Sequence, residues 1–339
     1  MSEDPAPLAD GAGWPSVSVV MPVRNEAEGL AGAVASVLDQ VYPRPIDVVL
    51  AVGPSDDGTE KVAADLARAD ERVRAVSNPA GLTPAGLNAA IRASDGEIVV
   101  RVDGHARLSD GYVRRAVETM RRTGAVNVGG VQHAVGTTPF EQAVAVAMSS
   151  RFGTGGARFH IGGNEGAVDT VYLGVFRREA IRGVGLFDEG LVRNQDYELN
   201  IRLREAGGTI WFDPELSVEY RPRGSARRLA LQYFEYGWWK AVVARRHPGS
   251  LRARQLAPAV ATAAVGVGLV AGRRSRLLRM APIGYASATV VASAMRVRDA
   301  PGVAVRLLIV YPAMHLCWGT GFITSVVTSW WSRDRPADR

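Results

Sequence analysis

One feature constrains the fold of this chain more than any other: an alternation that runs unbroken from residue 17 to residue 102. Short runs rich in β-branched residues, at 17–23, 46–52, 73–76 and 98–102, are bounded by polar or turn-forming residues and read as strands. Between them, apolar residues recur at helical spacing. Leu30, Val34, Val37 and Leu38 mark one face of a helix within 28–40. A second helix, capped by Thr59 or Asp57, runs to about residue 69, and a third spans 82–93. Strand–helix repetition of this kind predicts an α/β, Rossmann-like domain: a mostly parallel sheet covered by helices on both faces.

Such sheets place ligands outside the carboxyl ends of their strands. The run at 98–102 ends in Asp103-Gly104-His105, where Gly104 lets the backbone turn closely and His105 returns beside Asp103. Carboxylate and imidazole together suit Mn²⁺ or Mg²⁺ bridging to a diphosphate. Alone, Asp103 reads equally as a strand-end residue capping a turn. No Gly-x-Gly-x-x-Gly and no Gly-x-x-x-x-Gly-Lys-Ser/Thr follows any of these strands, which argues against dinucleotide dehydrogenases and P-loop enzymes.

Further along, 112–122 is amphipathic and 125–131 strand-like. The glycine-rich stretch 153–166 predicts a mobile loop of the kind that forms substrate lids. Strand character returns at 168–176, a helix opens at Asn194-Gln195-Asp196 and ends before Gly207-Gly208, and a last short strand is expected at 209–212.

From residue 256 the chain changes character, with apolar stretches at 256–271, 277–295 and 307–331. About 20 apolar residues cross a bilayer. The first two stretches are at the short end and could enter one face as a re-entrant pair, and the third is long enough to span. Trp330 and Trp331, with arginines beyond them, resemble an interfacial anchor. Charge follows the same division: residues 1–220 hold 21 Lys and Arg against 30 Asp and Glu, and residues 221–339 hold 19 against 4. The pI near 9.7 therefore belongs to the tail, and basic residues between apolar segments point to an anionic membrane surface and not to nucleic acid. Arginines flank the segments at both ends, at Arg273, Arg274 and Arg276 and at Arg296 and Arg298, so charge bias does not set the topology. The single cysteine, Cys317, excludes an internal disulfide and reads as a packed thiol. The stretch 1–15 is acidic and rich in Pro, Ala and Gly, which fits a disordered lead-in and not a signal peptide. The expected organisation is thus a disordered 1–15, a catalytic-type domain over 16–250, and a membrane tail over 251–339 with two to three apolar helices.

Taken together, several motifs resemble the inverting family 2 glycosyltransferases of the GT-A fold. They are Val19-Val20-Met21-Pro22-Val23-Arg24-Asn25-Glu26, Ser55-Asp56-Asp57-Gly58-Thr59, Asn88 in Gly-Leu-Asn-Ala-Ala, Arg101-Val102-Asp103-Gly104-His105, Asn194-Gln195-Asp196-Tyr197-Glu198-Leu199, and Gln232-Tyr233-Phe234-Glu235-Tyr236-Gly237-Trp238-Trp239-Lys240. They occur in the family's order across 16–250. Met314-His315-Leu316-Cys317-Trp318-Gly319-Thr320-Gly321-Phe322 looks like the membrane tail of the succinoglycan-type glucosyltransferase subgroup.

The resemblance implies roles. Pro22, Asn25, Glu26, Asp56, Asn88, Arg101 and Asp103 would contact a nucleotide-sugar, and Asp103 with His105 would hold the metal. Asp196 matches the general base that deprotonates the acceptor hydroxyl; read alone, it is also a carboxylate favoured by the helix dipole. Gln232, Trp238 and Lys240 fall where the family contacts acceptor or pyrophosphate, and Trp238 and Trp239 could stack on a sugar or sit at a lipid interface. Three positions depart from the family pattern. Val52-Gly53 replaces the usual base-contacting aspartate, so UDP is favoured with GDP open. Gln195 replaces a carboxylate before Asp196, leaving that residue without a neighbouring charge to raise its pKa. His105 stands where many relatives have a second aspartate. The expected protein is a multi-pass cell-membrane glycosyltransferase with its catalytic domain in the cytoplasm, transferring a hexose to a lipid-linked saccharide for exopolysaccharide or cell-wall glycan. A polyprenyl-phosphate sugar synthase and a non-catalytic membrane scaffold are the alternatives; the oligomeric state is not legible.

Overall fold

The computed structural model describes residues 13–296 and 301–333. Most of the expected lead-in over 1–15 lies outside the described residues, as do Arg298 and the side chains of Trp330 and Trp331. In chain order the elements are β1 (Val17–Val23), α1 (Leu30–Leu38), β2 (Ile46–Val52), α2 (Thr59–Ala69), β3 (Val73–Ser77), α3 (Thr83–Arg92), β4 (Ile98–Arg101), β5 (Arg107–Leu108), α4 (Tyr112–Thr123), β6 (Asn127–Ala134), α5 (Pro139–Met148), α6 (Arg151–Thr154) and α7 (Arg158–Ile161). There follow β7 (Gly166–Ala167), β8 (Tyr172–Arg177), α8 (Arg178–Gly183), α9 (Gln195–Glu205), β9 (Ile210–Tyr220), α10 (Ala226–Arg246), α11 (Ala253–Ala271), α12 (Arg276–Ala294) and α13 (Pro301–Arg333). Packing divides the chain into two compact units, one from the N-terminus through His133 together with Gly162–Tyr220, the other Ala134–Ile161 together with the chain from Arg221. The compositional boundary at residue 250 is not where packing draws the line, because α10 and the 134–161 segment fall with the tail.

The first unit is built on one sheet in the order β3-β2-β1-β4-β8-β6-β9-β5, with β7 against β9. β1, β2, β3 and β4 pair in parallel, as the strand–helix alternation requires, and β8 then joins β4 antiparallel. Both faces are covered. Val17, Val19, Met21 and Val23 of β1 point into a core with Leu30, Val34 and Val37 of α1 and Val113, Val117 and Met120 of α4. Val20 and Val99, of opposite parity, are equally buried. Near-continuous burial along β1 is the signature of a doubly covered parallel strand.

Two local expectations are corrected, and the glycine-rich stretch shows local structure. α2 has Gly58, in the left-handed region at φ 90°, at its N-cap, while Asp57 accepts from the Thr59 amide and hydroxyl. The strand expected over 209–212 extends to Tyr220. Its polar centre is satisfied internally: Asp213, fully buried, accepts from Arg115 at 3.0 Å, the Thr119 hydroxyl at 2.8 Å and the Glu215 amide at 3.0 Å. Within the glycine-rich stretch, Ser150 caps the single turn of α6 by accepting from the Gly153 amide at 3.0 Å, and α7 follows.

In the second unit α13 packs along α10 and α5. A side chain at Gly237 of α10 would lie 1.9 Å from the Trp318 carbonyl, and one at Gly321 of α13 would lie 2.0 Å from the Phe234 carbonyl. Only glycine permits this approach, the small-residue packing typical of helices in apolar surroundings. At the start of α5, Thr138 and Glu141 form a reciprocal capping box, and Glu141 also takes the Arg221 guanidinium at 3.1 Å. Among the described residues two stretches are long and apolar enough to cross a membrane, Ala253–Ala271 and Gly302–Ser329; α12, which begins at Arg276 and carries Arg279, is not one of them.

Candidate active site

The order β3-β2-β1-β4 reverses direction of growth at β1, so the carboxyl ends of β1 and β4 flank the topological switch point. Residues after these two strands form the centre of the site.

Arg101, the last residue of β4, and Asp103 are two apart and share a face. Arg101 is buried at 5% exposure, and its Nε and Nη2 donate to Asp103 Oδ1 at 3.2 and 2.9 Å. Its Nη1 donates to Oδ1 of Asp196, the second residue of α9. One guanidinium thus joins the two carboxylates expected to act as metal ligand and base. α9 is fixed from its buried side, where Asn127 donates to Asn200 at 2.7 Å, Asn200 donates to Thr170 at 2.9 Å, and Arg202 donates to Glu198 at 2.7 Å.

The environment separates the two carboxylates. Burial pushes Asp103 upward, but Arg101 together with His105 and Arg193 outweighs it and holds the carboxyl below its ordinary value. At Asp196 burial is the larger influence and Asp103 adds to it, so the pKa is raised despite the Arg101 contact. The expectation that Asp196 lacks a charged neighbour is therefore corrected: its charged neighbours, Arg101 and Asp103, come from the end of β4 and the segment after it, not from position 195.

His105 Nδ1 lies 2.8 Å from Glu26 Oε1, and its ring is 6.2 Å from that of Tyr220. A carboxylate at Nδ1 favours the tautomer whose Nε2 carries the lone pair, the arrangement usual for a metal-ligating histidine. Among the described residues no three His, Cys, Asp or Glu side chains gather into a metal site. Asp103 and His105 suit a cation only if phosphate oxygens complete its shell, and hard oxygen donors of that kind are what Mn²⁺ and Mg²⁺ take.

Asn25 and Asp56 are brought together. Asn25, at φ 55°, receives the Asp56 amide on its side-chain oxygen at 3.1 Å and gives its own amide to Ser55 at 3.1 Å. The Glu26 amide donates to Thr59 at 2.8 Å, and Pro22 pairs with Ala51 in the adjoining strand. The expected 24–26 and 55–59 motifs thus form one rim beyond β1 and β2. Asn88 is placed differently. It is buried, and its amide exchanges hydrogen bonds with the Phe187 backbone at 2.9 and 3.0 Å and donates to Glu189 at 2.8 Å, a tie between α3 and the loop before α9. Gln232 and Lys240 are buried on α10 of the second unit, and Trp238 of the same helix packs its ring 6.2 Å from Phe234. The tyrosines near Asp103 escaped the sequence reading. Tyr172 lies 6.4 Å from Tyr220, ring to ring, and burial with Asp103 nearby raises its hydroxyl pKa well above the ordinary value. Register alone could have found Tyr172, since β8 runs antiparallel to β4 past the end of that strand.

Residues 18–185 match the family described as Glycosyl transferase family 2. The succinoglycan biosynthesis protein ExoA of Rhizobium meliloti (strain 1021) is 32% identical over 313 residues, covering 90% of this chain and 93% of that one. The chain belongs to glycosyl transferase family 2. A Methanococcus voltae protein, named a dolichyl N-acetyl-α-D-glucosaminyl phosphate 3-β-D-2,3-diacetamido-2,3-dideoxy-β-D-glucuronosyltransferase, is 22% identical over 68% of this chain and 74% of its own. Among solved structures, the mannosyltransferase PcManGT from Pyrobaculum calidifontis, in complex with GDP-Man and Mn²⁺, aligns with a TM-score of 0.59 at 20% identity, covering 98% of this chain and 92% of that one. That likeness establishes the GT-A fold of this family member.

Proposed function

We propose that this family 2 enzyme transfers a hexose, with inversion, from a nucleotide-sugar to a hydroxyl of a lipid-linked saccharide at the cytoplasmic face of a membrane, in exopolysaccharide or cell-wall glycan synthesis. UDP-sugars are the favoured donors. The observation that carries the reading is the buried Arg101 bridge. It holds Asp103 and Asp196 on either side of one guanidinium at the switch point, with opposite pKa shifts. Asp103, kept ionised, and His105 would hold Mn²⁺ or Mg²⁺, whose charge stabilises the departing nucleoside diphosphate. Asp196, made more basic by burial, accepts the proton of the acceptor hydroxyl as its oxygen attacks the anomeric carbon from the face opposite the leaving group. The bond to the diphosphate breaks as the new glycosidic bond forms, which inverts the centre. Pro22, Asn25, Glu26 and Asp56 line the rim where the nucleotide sits, and Gln232, Trp238 and Lys240 serve acceptor or pyrophosphate.

The test is a panel of UDP-, GDP- and dTDP-sugars with purified protein in detergent. Donor binding is read by thermal shift with and without Mn²⁺ or Mg²⁺, and transfer by product analysis. Asp103→Ala is expected to abolish the metal-dependent shift, and EDTA to do the same to wild type. Asp196→Asn is expected to keep the shift but lower kcat by about 10²–10⁴. Unchanged binding in Asp103→Ala with no turnover of any donor would sink the proposal in favour of a non-catalytic scaffold. An Asp196→Asn enzyme with most of its rate intact would point to a lipid phosphate acceptor, which needs little help from a base.

A further inference from the structure

The turn joining α11 to α12 and the first turn of α12 carry Arg273, Arg274, Arg276 and Arg279, four arginines in seven residues. Among the described residues from 221 onward the one carboxylate is Glu235, on α10, and none of the four guanidiniums has a carboxylate partner among the described residues. Among the described residues, positive charge without a carboxylate partner is therefore concentrated at this junction.

Below it lies a cavity of about 550 Å³, lined by Gly268, Gly272, Arg273, Arg279, Pro282 and Ile283 among others. Its shape follows from the sequence Gly268-Leu269-Val270-Ala271-Gly272. A side chain at Gly268 would stand 2.4 Å from Pro282 Cδ and 2.6 Å from the Leu278 carbonyl, so glycine lets the two helices close at that level. At Gly272, one turn on, a side chain would stand 2.9 Å from Arg279 Cγ, so the missing group leaves a groove for the arginine stem. Arg273 and Arg279 both line the cavity.

The flanks of the cavity are apolar and uncovered. Leu269 and Ile283, both in its lining, are 69 and 53% exposed. A free inorganic anion has no use for such flanks. A molecule with a phosphate at one end and hydrocarbon at the other satisfies both halves of the site. Arginine is suited to phosphate because its planar fork matches two oxygens at once, and the volume falls within the range of small-ligand sites.

We propose that the α11–α12 cavity binds an anionic phospholipid, its phosphate taken by Arg273 and Arg279 and its acyl chains laid along Leu269 and Ile283. The inference rests on the reading of this tail as membrane-embedded. Full-length protein in nanodiscs of mixed phosphatidylglycerol and phosphatidylcholine, released for native mass spectrometry, tests it. Wild type is expected to retain phosphatidylglycerol over phosphatidylcholine by about tenfold or more, the scale of one lost charge-assisted contact. Arg273→Gln/Arg279→Gln is expected to lose that preference, whereas Arg274→Gln/Arg276→Gln, with the same loss of net charge outside the cavity lining, keeps it. Glycerol 3-phosphate should not displace the lipid. Equal loss in both double variants would reduce the effect to general charge attraction and overturn the site, as would retention by Arg273→Gln/Arg279→Gln or equal retention of the two lipids by wild type. Displacement by glycerol 3-phosphate would make it a free-anion site instead. Both double variants keep the apolar surface and are expected to remain carbonate-resistant in membranes. Carbonate-extractable wild type would refute the membrane reading, a result distinguishable from loss of the lipid preference.

Discussion

Replacing Arg101 with methionine would leave Asp103 and Asp196 facing the space a guanidinium now fills, with no cation between them. Breaking one side of a buried pair costs about 3–5 kcal/mol, so Arg101→Met is expected to melt well below wild type in thermal denaturation. Arg101→Lys restores the charge but not a planar fork able to reach two carboxylates. It should recover most of the melting temperature while kcat stays at least about tenfold below wild type. A lysine variant with wild-type kcat would show that charge alone, not the bridge, is what the site uses. Part of this arrangement is legible in the sequence: Arg101 and Asp103 are two apart on a strand and must share a face. The other part is not, because Asp196 lies 95 residues further on and only the tertiary fold brings α9 to the end of β4. Asn88 shows the opposite hazard. A motif match suggests a ligand contact, whereas the structure occupies its amide with the backbone of the loop before α9.

At the scale of elements, β1 to β4 and their helices are readable to within a few residues, because doubly covered parallel strands are short, apolar and separated by periodic helices. β9 is not, since the run Asp213-Pro214-Glu215 breaks its apolar pattern and the compensating partners Arg115 and Thr119 lie on α4. The start of α5 makes a separate prediction. Burial pushes Glu141 upward, but the Thr137 hydroxyl, the Thr138 and Thr137 amides and Arg221 outweigh it and hold the pKa at about 2, from an ordinary 4.5. A depressed carboxylate contributes stability that is complete above its unfolded pKa and is lost as pH falls through its folded one. The contribution, on the order of 3 kcal/mol, should therefore disappear between about pH 4.5 and pH 2. Melting temperatures over that range should fall more steeply for wild type than for Glu141→Gln, which starts lower at neutral pH. Parallel curves would show that the capping box does not carry this linkage.

Across the whole molecule, charge and hydropathy divide the chain near residue 250, but packing assigns α10 and α5 to the same unit as the tail. Hydropathy locates α11, α12 and α13; it does not register that Gly237 and Gly321 let α10 and α13 touch backbone to backbone. Exposed Val260, Val267, Leu269, Val270, Val290 and Val291 on α11 and α12 predict that the full chain stays with membranes through both high salt and alkaline carbonate. Release by salt alone would mean that the arginines, and not the helices, hold it there. The α10–α13 contact also has a consequence for biosynthesis. α5 and α10 leave the ribosome long before α13, and the faces they turn to it, including Gly237, have no partner until α13 emerges. The sheet unit, whose final strand ends at Tyr220, can close while that helix is still being made. The second unit is therefore completed only once α13 has emerged, and translation arrested before residue 301 should yield a folded sheet unit trailing a chaperone-dependent, protease-sensitive remainder.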